Sequence, residues 1–313
     1  MAFLHPFSFT LFVTSILFVL SNLPNSYEAT PFNRMLALVQ PEPIVLKDHK
    51  GPLLKGNVTV HVLWYGNFTP TQRSIIIDFI KSLSSAYHAP SPSVRSWWQT
   101  TARYRGGPCT LAVGKQILDD TYSLGKSLKT TQLVALASKT VTKTRGKEIR
   151  VVLTAADVAV EDFCMNQCGT HDSGRVEKSK AVYAWVGNPM AQCPGECAWP
   201  FHQPVYGPQT PPLVPPNGDV GVDGMLISLA TVLAGTVTNP FKNGYYEGSA
   251  VAPLEAVSAC TGIFGKGAYP GYPGNVLVDK TTGASYNAVG VKGRKFLLPA
   301  MWDPNTSTCK TLV

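Results

Sequence analysis

Hydrophobic and polar residues alternate between positions 57 and 66, so that Val58, Val60, Val62 and Trp64 fall on one face. An alternation of period two is typical of a β-strand. Segments of similar character predict further strands at 111–118, 148–158, 180–188 and 295–303. Thr282-Gly283 supplies a turn signal within 276–287, which predicts a hairpin.

A helical period follows the first strand. Thr69 is a suitable N-cap and Pro70 a suitable first helical residue. The apolar positions that then recur at helical spacing are Ile75, Ile76, Phe79, Ile80 and Leu83. Further helices are predicted at 93–105 and 130–140.

The most regular helix is predicted at 225–238. It opens after Asp223-Gly224, stops at Asn239-Pro240, and carries no charge from Met225 to Val237. A helix that is apolar all round is buried all round. We therefore expect this segment to lie in the core.

The order of these elements predicts the fold class. Strands and helices alternate early and strands cluster late, which favours one α/β or α+β domain with a mixed β-sheet flanked by helices. The segment 200–216 contains seven prolines and must be a surface loop. We divide the chain into a signal peptide at 1–29, an extended N-terminal segment at 30–50 and a single globular domain at 51–313.

The N-terminus predicts secretion. Residues 7–20 form an uncharged apolar run of signal-peptide length, and Ala29 is a suitable last leader residue. The run is shorter than the roughly 20 apolar residues that a transmembrane helix needs. We expect a secreted protein with no membrane span after leader removal.

Sequons and cysteines agree with this compartment. Three N-x-S/T sequons predict N-glycosylation at Asn57, Asn67 and Asn305; Pro70 makes the second a poorer acceptor, and the third is the best. All seven cysteines follow the leader, and in an oxidising compartment they are read first as disulfides. Because seven is odd, one thiol is left unpaired within the chain.

Composition and charge narrow the classes of partner. Hydrophobic residues make up 44% and charged residues 15% of the chain, which excludes a disordered tail. The net charge is +8, but the basic residues are scattered, and their densest run, 139–150, lacks aromatic residues. We therefore expect no nucleic-acid partner. A mildly basic surface suits acidic polymers such as wall pectins, or is simply solvated.

Two cysteine clusters could form disulfides, bind zinc or carry redox chemistry. Cys164-x3-Cys168 is followed by His171, and Cys193-x3-Cys197 is followed by His202. Thiolates and imidazoles are zinc ligands, but secretion favours disulfides, with bridges either within or between the clusters. Cys260 and Cys309 form a further candidate pair.

No catalytic signature is present. His171, Asp172 and Ser173 are consecutive, so their side chains diverge and cannot form a triad; we interpret 170–174 as a turn. The chain has no G-x-S-x-G elbow. A set of carboxylates around loops gives only a weak signal for a paired-acid site, because sequence does not show their separation: Glu161, Asp162, Asp219, Asp223, Glu247 and Glu255.

Several long strings together resemble the plant EXORDIUM family, also called phosphate-induced proteins. Among them are HVLWYGNFTPTQR, FCMNQCGTHDS, VGNPMAQCPGECAWPFHQP, LAGTVTNPFKNGYYEG and GRKFLLPAMWDP, and the resemblance spans about residues 31 to 313. It implies a secreted protein of the apoplast and cell wall, linked to brassinosteroid-promoted cell expansion and to carbon or phosphate status. It implies no defined biochemical activity.

The segment 231–240 is also similar to the metal-binding helix of some zinc peptidases, in which a His-Glu pair begins a run ending in Thr-Asp/Asn-Pro. Thr231, Val232 and Gly235 stand where that helix has its ligands and its catalytic carboxylate. These residues can neither bind zinc nor activate water. Either a degenerate zincin-like scaffold has lost its site, or the helix has no such ancestry; both interpretations predict no zinc hydrolysis.

The favoured function is a non-enzymatic, secreted apoplast protein that regulates growth by binding a wall polysaccharide or an extracellular protein partner, without cofactor or resident metal. Aromatic loops, including Tyr245 and Tyr246, offer faces for such a ligand. The alternative is a secreted hydrolase with a metal loop built from His171, His202 and the carboxylates of Asp219 and Asp223.

Overall fold

The computed structural model describes residues 44–84, 90–140, 146–165, 167–176 and 179–313. The predicted signal peptide and most of the predicted N-terminal segment lie outside these residues. The strands are β1 Lys47–Asp48, β2 Gly56–Tyr65, β3 Cys109–Asp119, β4 Ser127–Leu128, β5 Lys147–Thr154, β6 Ala159–Val160, β7 Gly169–Val176, β8 Ser179–Gly187, β9 Tyr245–Tyr246, β10 Leu277–Val278, β11 Ser285–Tyr286, β12 Ala288–Val289, β13 Lys295–Phe296, β14 Met301–Asp303 and β15 Thr308–Lys310. The α-helices are α1 Pro70–Ser84, α2 Val94–Trp98, α3 Thr130–Ser138, α4 Pro194–Cys197 and α5 Val220–Thr238, and 3₁₀ turns lie at Gln99–Arg103, Ser258–Cys260 and Val291–Gly293.

A five-stranded sheet forms the centre, in the order β3-β2-β5-β8-β7. The first four strands are parallel, and β7 pairs antiparallel to β8 at one edge. The remaining strands form short two-stranded pairs: β1-β9, β4-β6, β10-β11, β12-β13 and β14-β15. The predicted mixed sheet flanked by helices is confirmed.

Helices cover both faces of this sheet. Gly169 of β7 approaches Val232 of α5, whereas Gly174, on the opposite face of the same strand, approaches Val134 of α3. Helix α1 also contacts α5. Because both faces are covered, β2 is buried continuously from Val60 onward rather than on alternate residues, as parallel central strands usually are.

Helix α5 is the predicted core helix, but it begins earlier than expected. Its N-cap is Asp219, whose Oδ1 accepts a hydrogen bond from the Val222 N–H at 3.0 Å, so Asp223 lies inside the first turn. The helix ends at Thr238 with Asn239 as its C-cap, as predicted. It is long and apolar enough to cross a membrane. However, 83% of its most apolar 18-residue stretch is buried inside the protein, as in the core helix of a globular domain.

Two other local predictions were wrong. The segment 170–174, interpreted as a turn, belongs to β7. Its polar sequence has no strand pattern, and it is extended because its backbone pairs with β8. The strand expected at 295–303 is divided into β13 and β14, which pair with β12 and β15 respectively. Pro299, which has no backbone N–H, lies in the gap between them. The hairpin at 276–287 is confirmed as β10-β11.

Candidate functional site

Helix α5 meets the edge strand β7 at Gly235. His171 from β7 and Glu255 from the loop after β9 occupy the space beside this glycine. A Cβ added at Gly235 would lie 2.9 Å from His171 Nε2 and closer still to Glu255 Oε2, nearer than ordinary van der Waals contact. The absence of a side chain at Gly235 therefore makes room for a polar pair against an otherwise apolar helix.

Several hydrogen bonds fix this pair. His171 Nε2 lies 2.8 Å from Glu255 Oε2. Asn239 Nδ2 donates to the second carboxylate oxygen, Oε1, at 2.7 Å, and the Glu255 N–H donates to Ser258 Oγ at 2.8 Å. Asn239 is fixed in turn because Gly244 N–H donates to its Oδ1 at 2.7 Å. Hydrogen bonds thus hold both carboxylate oxygens of Glu255 and its backbone N–H.

His171 carries an unused polar atom. Its side chain is only 7% exposed, and its Nδ1 is buried with no hydrogen-bond partner among the described residues. Since an ionised carboxylate can only accept, Nε2 carries the hydrogen and Nδ1 of a neutral ring is an acceptor. A buried polar atom without a partner costs about 1–3 kcal/mol. Such atoms are uncommon in folded proteins and indicate a place where a further group is expected.

A cavity of about 570 Å³ opens beside the pair. Its walls are the start of β7, the end of α4 with Trp199, one side of α5 and the loop 251–264, and Lys242 and Pro299 complete the lining. The lining combines the rings of Trp199 and Phe264 with five hydroxyl side chains, those of Thr170, Ser228, Thr231, Ser258 and Thr261. This volume lies within the roughly 300–1,000 Å³ of small-molecule sites, and the mixture of apolar faces with a few polar groups is typical of them.

The cavity contains more carboxylates than ammonium groups. Among the described residues that line it, Glu196 and Glu255 carry carboxylates and Lys242 carries an ammonium group. Lys242 Nζ donates to Asp172 Oδ2 at 2.8 Å, so its charge is already balanced. Asp172 follows His171 on β7, and the two side chains have different partners, as expected for consecutive residues of a strand.

The disulfides connect the two cysteine clusters to each other. Cys164 pairs with Cys193, and Cys168 pairs with Cys197. They tie the segment before β7 to α4, and Cys168 and Cys197 line the cavity. The alternatives left open by the sequence are resolved in favour of bridges between the clusters.

The remaining three cysteines form one disulfide and leave one free thiol, as predicted. Cys260 pairs with Cys309, as expected. Cys109 is the free thiol and is buried at the start of β3. Burial raises its pKa to about 12, so it is a thiol and not a reactive thiolate at neutral pH.

The structure places the other candidate ligand residues apart from His171. His202 is exposed, and its Nδ1 lies 3.0 Å from the backbone oxygen of Gln203. Asp219 caps α5 and also accepts from Gln72 Nε2 at 2.9 Å. Asp223 is buried and accepts two hydrogen bonds from Asn217, at 2.9 and 2.7 Å. None of these side chains lines the cavity.

Tyr245 and Tyr246 also have structural partners. Tyr245 packs edge-on against Tyr104 with ring centroids 4.9 Å apart, and Tyr246 stacks on His49 at 3.8 Å. Both belong to β9, which pairs with β1. These two rings therefore join the segment around residues 47–49 to the body of the protein, and neither lines the cavity.

No group of three or more metal-binding side chains occurs within the part of the chain that the structure describes. Thr231 lines the cavity and donates to the backbone oxygen of Ile227 at 2.9 Å, and Val232 is buried. His171 and Glu255 are the two ligand-type side chains nearest to Gly235. The relation to zinc peptidases stays a hypothesis.

The three predicted glycan acceptors are all exposed. Asn57 lies near the start of β2, opposite Thr110 of β3. Asn67 follows β2, and Asn305 lies in the turn between β14 and β15. N-glycosylation at these positions stays a prediction.

Sequence reasoning found part of this site. His171 was singled out as a ligand, and Glu255 was one of six loop carboxylates. Asn239 was read only as a helix stop, and Gly235 only as a missing ligand. One local signal could have identified the junction, namely a glycine within an uncharged buried helix, because such a residue often marks close approach by another group.

The sequence is similar to known plant proteins over most of its length. Residues 46–312 match the family model described as the phosphate-induced protein 1 conserved region. The chain is 66% identical over 286 residues to Protein EXORDIUM-like 2 of Arabidopsis thaliana, covering 88% of this chain and 92% of that protein. It is 59% identical over 292 residues to Protein PHOSPHATE-INDUCED 1 of Nicotiana tabacum (90% and 92%) and 55% identical over 298 residues to Protein EXORDIUM of Arabidopsis thaliana (90% and 93%). No solved structure gives a significant match. With the family model covering most of the chain and these relatives matching nearly end to end, the protein belongs to the EXORDIUM/phosphate-induced protein family.

Proposed function

We propose that this protein is a secreted, non-enzymatic component of the apoplast and cell wall that regulates cell expansion by binding a wall component or a surface partner in the cavity between β7 and α5. The observation that carries the proposal is the cavity itself. It has a volume of about 570 Å³ and a buried His171–Glu255 pair in its wall. A link to brassinosteroid or nutrient supply belongs to the same proposal.

Binding is favoured over hydrolysis by the hydrogen bonds around the pair. Both Glu255 oxygens are already engaged, by His171 and Asn239. The nearby Ser258 hydroxyl accepts from the Glu255 N–H and is not hydrogen-bonded to His171. A nucleophile must lie within hydrogen-bond reach of its base. This arrangement suits a rigid recognition site better than a catalytic one.

The test uses the full chain, leader included, expressed in plant cells. The wild-type protein should appear in the extracellular fluid and bind isolated wall material. Thr231→Phe, which places a ring in the cavity, should weaken that binding at least about tenfold, because a filled site loses its ligand contacts. Thr281→Phe, at an exposed turn of the β10-β11 hairpin, is the matched control and should bind normally.

Two outcomes would overturn the proposal. Equal wall binding and equal growth activity for both folded variants would show that the cavity has no role in binding. The wild type could instead release soluble fragments from wall material, and His171→Ala could fail to do so. That result would show that the protein is a secreted hydrolase and not a binding protein. The two variants must give the same circular dichroism spectrum as the wild type.

A further inference from the structure

We infer that the occupant of the cavity between β7 and α5 is a neutral saccharide, recognised through its hydroxyl groups and ring faces. The inference rests on the proposed function and names the chemical class of its ligand. It also differs from what the net charge of +8 would suggest, since a basic protein would be expected to favour acidic polymers.

The polar part of the lining is made mainly of hydroxyl groups. Thr231 and Ser228 contribute such groups from α5, and Thr170, Ser258 and Thr261 contribute them from the opposite walls. Thr231 and Thr261 already donate to backbone carbonyls, at 2.9 and 2.7 Å, so their oxygens are offered to a ligand as acceptors. A neutral saccharide supplies hydroxyl donors for such acceptors without a fixed charge.

The apolar part of the lining provides ring faces. Trp199 is half-buried in the cavity wall, and its ring lies 5.7 Å from that of Phe264. A large aromatic ring with one side packed and one side open is suited to contact with the apolar face of a sugar ring. Packing on Phe264 fixes the orientation of Trp199 before the ligand arrives, which reduces the entropy lost on binding.

The charges oppose an acidic saccharide. A uronate carboxylate would enter a cavity whose described lining carries two carboxylates, those of Glu196 and Glu255, and one ammonium group, that of Lys242. Lys242 Nζ lies 2.8 Å from the carboxylate of Asp172, as the Glu255 carboxylate lies 2.8 Å from His171. Like charges in a partly buried site repel more strongly than in water. The local charge of the cavity therefore opposes an acidic ligand, whatever the net charge of the whole protein.

A buried nitrogen of His171 adds to this picture. His171 lines the cavity, and its Nδ1 has no hydrogen-bond partner among the residues that the structure describes. Glu255 lies 2.8 Å from Nε2, so a half-turn of the ring would break that contact. In the neutral ring Nδ1 is an acceptor, which a sugar hydroxyl can satisfy as a donor and an ionised carboxylate cannot.

The experiment measures binding of two kinds of oligosaccharide to the purified full-length secreted protein by isothermal titration calorimetry. One set comprises neutral hexasaccharides of β-1,4-linked glucose, xylose, mannose and galactose. The other probe is an α-1,4-galacturonic acid hexasaccharide at the same ionic strength. At least one neutral ligand should bind about tenfold more tightly than the galacturonate, a difference of about 1.4 kcal/mol.

A matched pair of helix variants locates the binding site. Thr231→Val removes one cavity hydroxyl without changing side-chain shape and should weaken neutral-saccharide binding about tenfold. Thr236→Val removes a buried hydroxyl on the same helix and should have no effect. Both hydroxyls donate to the carbonyl four residues earlier, at 2.9 and 2.7 Å, so both variants lose the same kind of helix contact.

The outcomes separate this inference from the proposed function. Tighter binding of galacturonate, reduced by Thr231→Val, would overturn the neutral class and leave the cavity as the site. Absence of saccharide binding, with wall binding still lost in Thr231→Phe, would also overturn it and would indicate a peptide or protein ligand. If Thr231→Phe changed no binding at all, the cavity itself would be excluded and the proposed function would fail.

Discussion

Gly235→Ala is the substitution for which the structure gives the clearest expectation. At an unobstructed position inside a helix, alanine in place of glycine stabilises a protein by about 0.5–1 kcal/mol. At Gly235 the new methyl group would lie 2.9 Å from His171 Nε2 and closer to Glu255 Oε2. We therefore expect destabilisation in place of the usual gain.

The magnitude follows from how the pair is held. The methyl-to-imidazole separation must increase by about 0.5 Å to reach ordinary contact, and the carboxylate must move further. Glu255 cannot move away without stretching its bonds to His171 and Asn239, at 2.8 and 2.7 Å. A hydrogen bond to a charged group contributes about 1.5–3 kcal/mol. After subtracting the helix gain, the net loss is about 1–2 kcal/mol.

The assay is urea unfolding followed by tryptophan fluorescence, with a second background as control. In the His171→Ala/Glu255→Ala protein the obstructing groups are absent, so Gly235→Ala should stabilise by about 0.5–1 kcal/mol. The sign of the effect thus reverses between the two backgrounds. A stabilising Gly235→Ala in the wild type, or an equal loss in both backgrounds, would refute the assignment of Gly235 as the residue that makes room for the pair.

Three further predictions concern buried groups. Burial raises the pKa of Asp223 to about 7 from 3.8, so the folded protein holds this proton more tightly. The stabilisation of the folded state by this tightly held proton is fully present below about pH 4 and is lost as the pH rises through about 7. Over that range the free energy of unfolding of the wild type should fall by a few kcal/mol relative to that of Asp223→Asn. Parallel pH profiles of the two proteins would contradict this. Cys109, with its pKa raised to about 12, should resist iodoacetamide at about pH 8 in the native protein and react once unfolded; rapid native labelling would be inconsistent with its burial. Because the Cys260–Cys309 bridge spans 49 residues, its double serine variant should lose up to about 4 kcal/mol in chemical unfolding, and an unchanged midpoint would argue against a stabilising bridge.

Much of the scaffold could be predicted from the sequence. The alternation from Val58 to Trp64, the capped helix after Thr69 and the uncharged stretch that ends at Asn239 each carry their signal within a few residues. Periodicity and capping are local properties, and they specify an element wherever it packs. Cysteine number and compartment likewise predicted disulfides and one free thiol.

The edge strand and the site depended on tertiary structure. β7 contains GTHDSG, a polar run with no strand signal of its own, and it is a strand because β8 pairs with it. The partners of the buried pair are 84 residues apart, and the cysteines of the two clusters are joined across 29 residues. No periodic pattern relates residues at such distances.

The sequence alone therefore determined the central strands β2, β3, β5 and β8 and the core helix α5, and predicted that most of the cysteines form disulfides. Only the tertiary structure decided that Gly235 faces His171 and Glu255 and that hydroxyl groups from three walls surround one cavity. The physical reason is that an element's identity follows from its own residues. A site is formed by side chains from separate segments, and their meeting depends on how those segments pack.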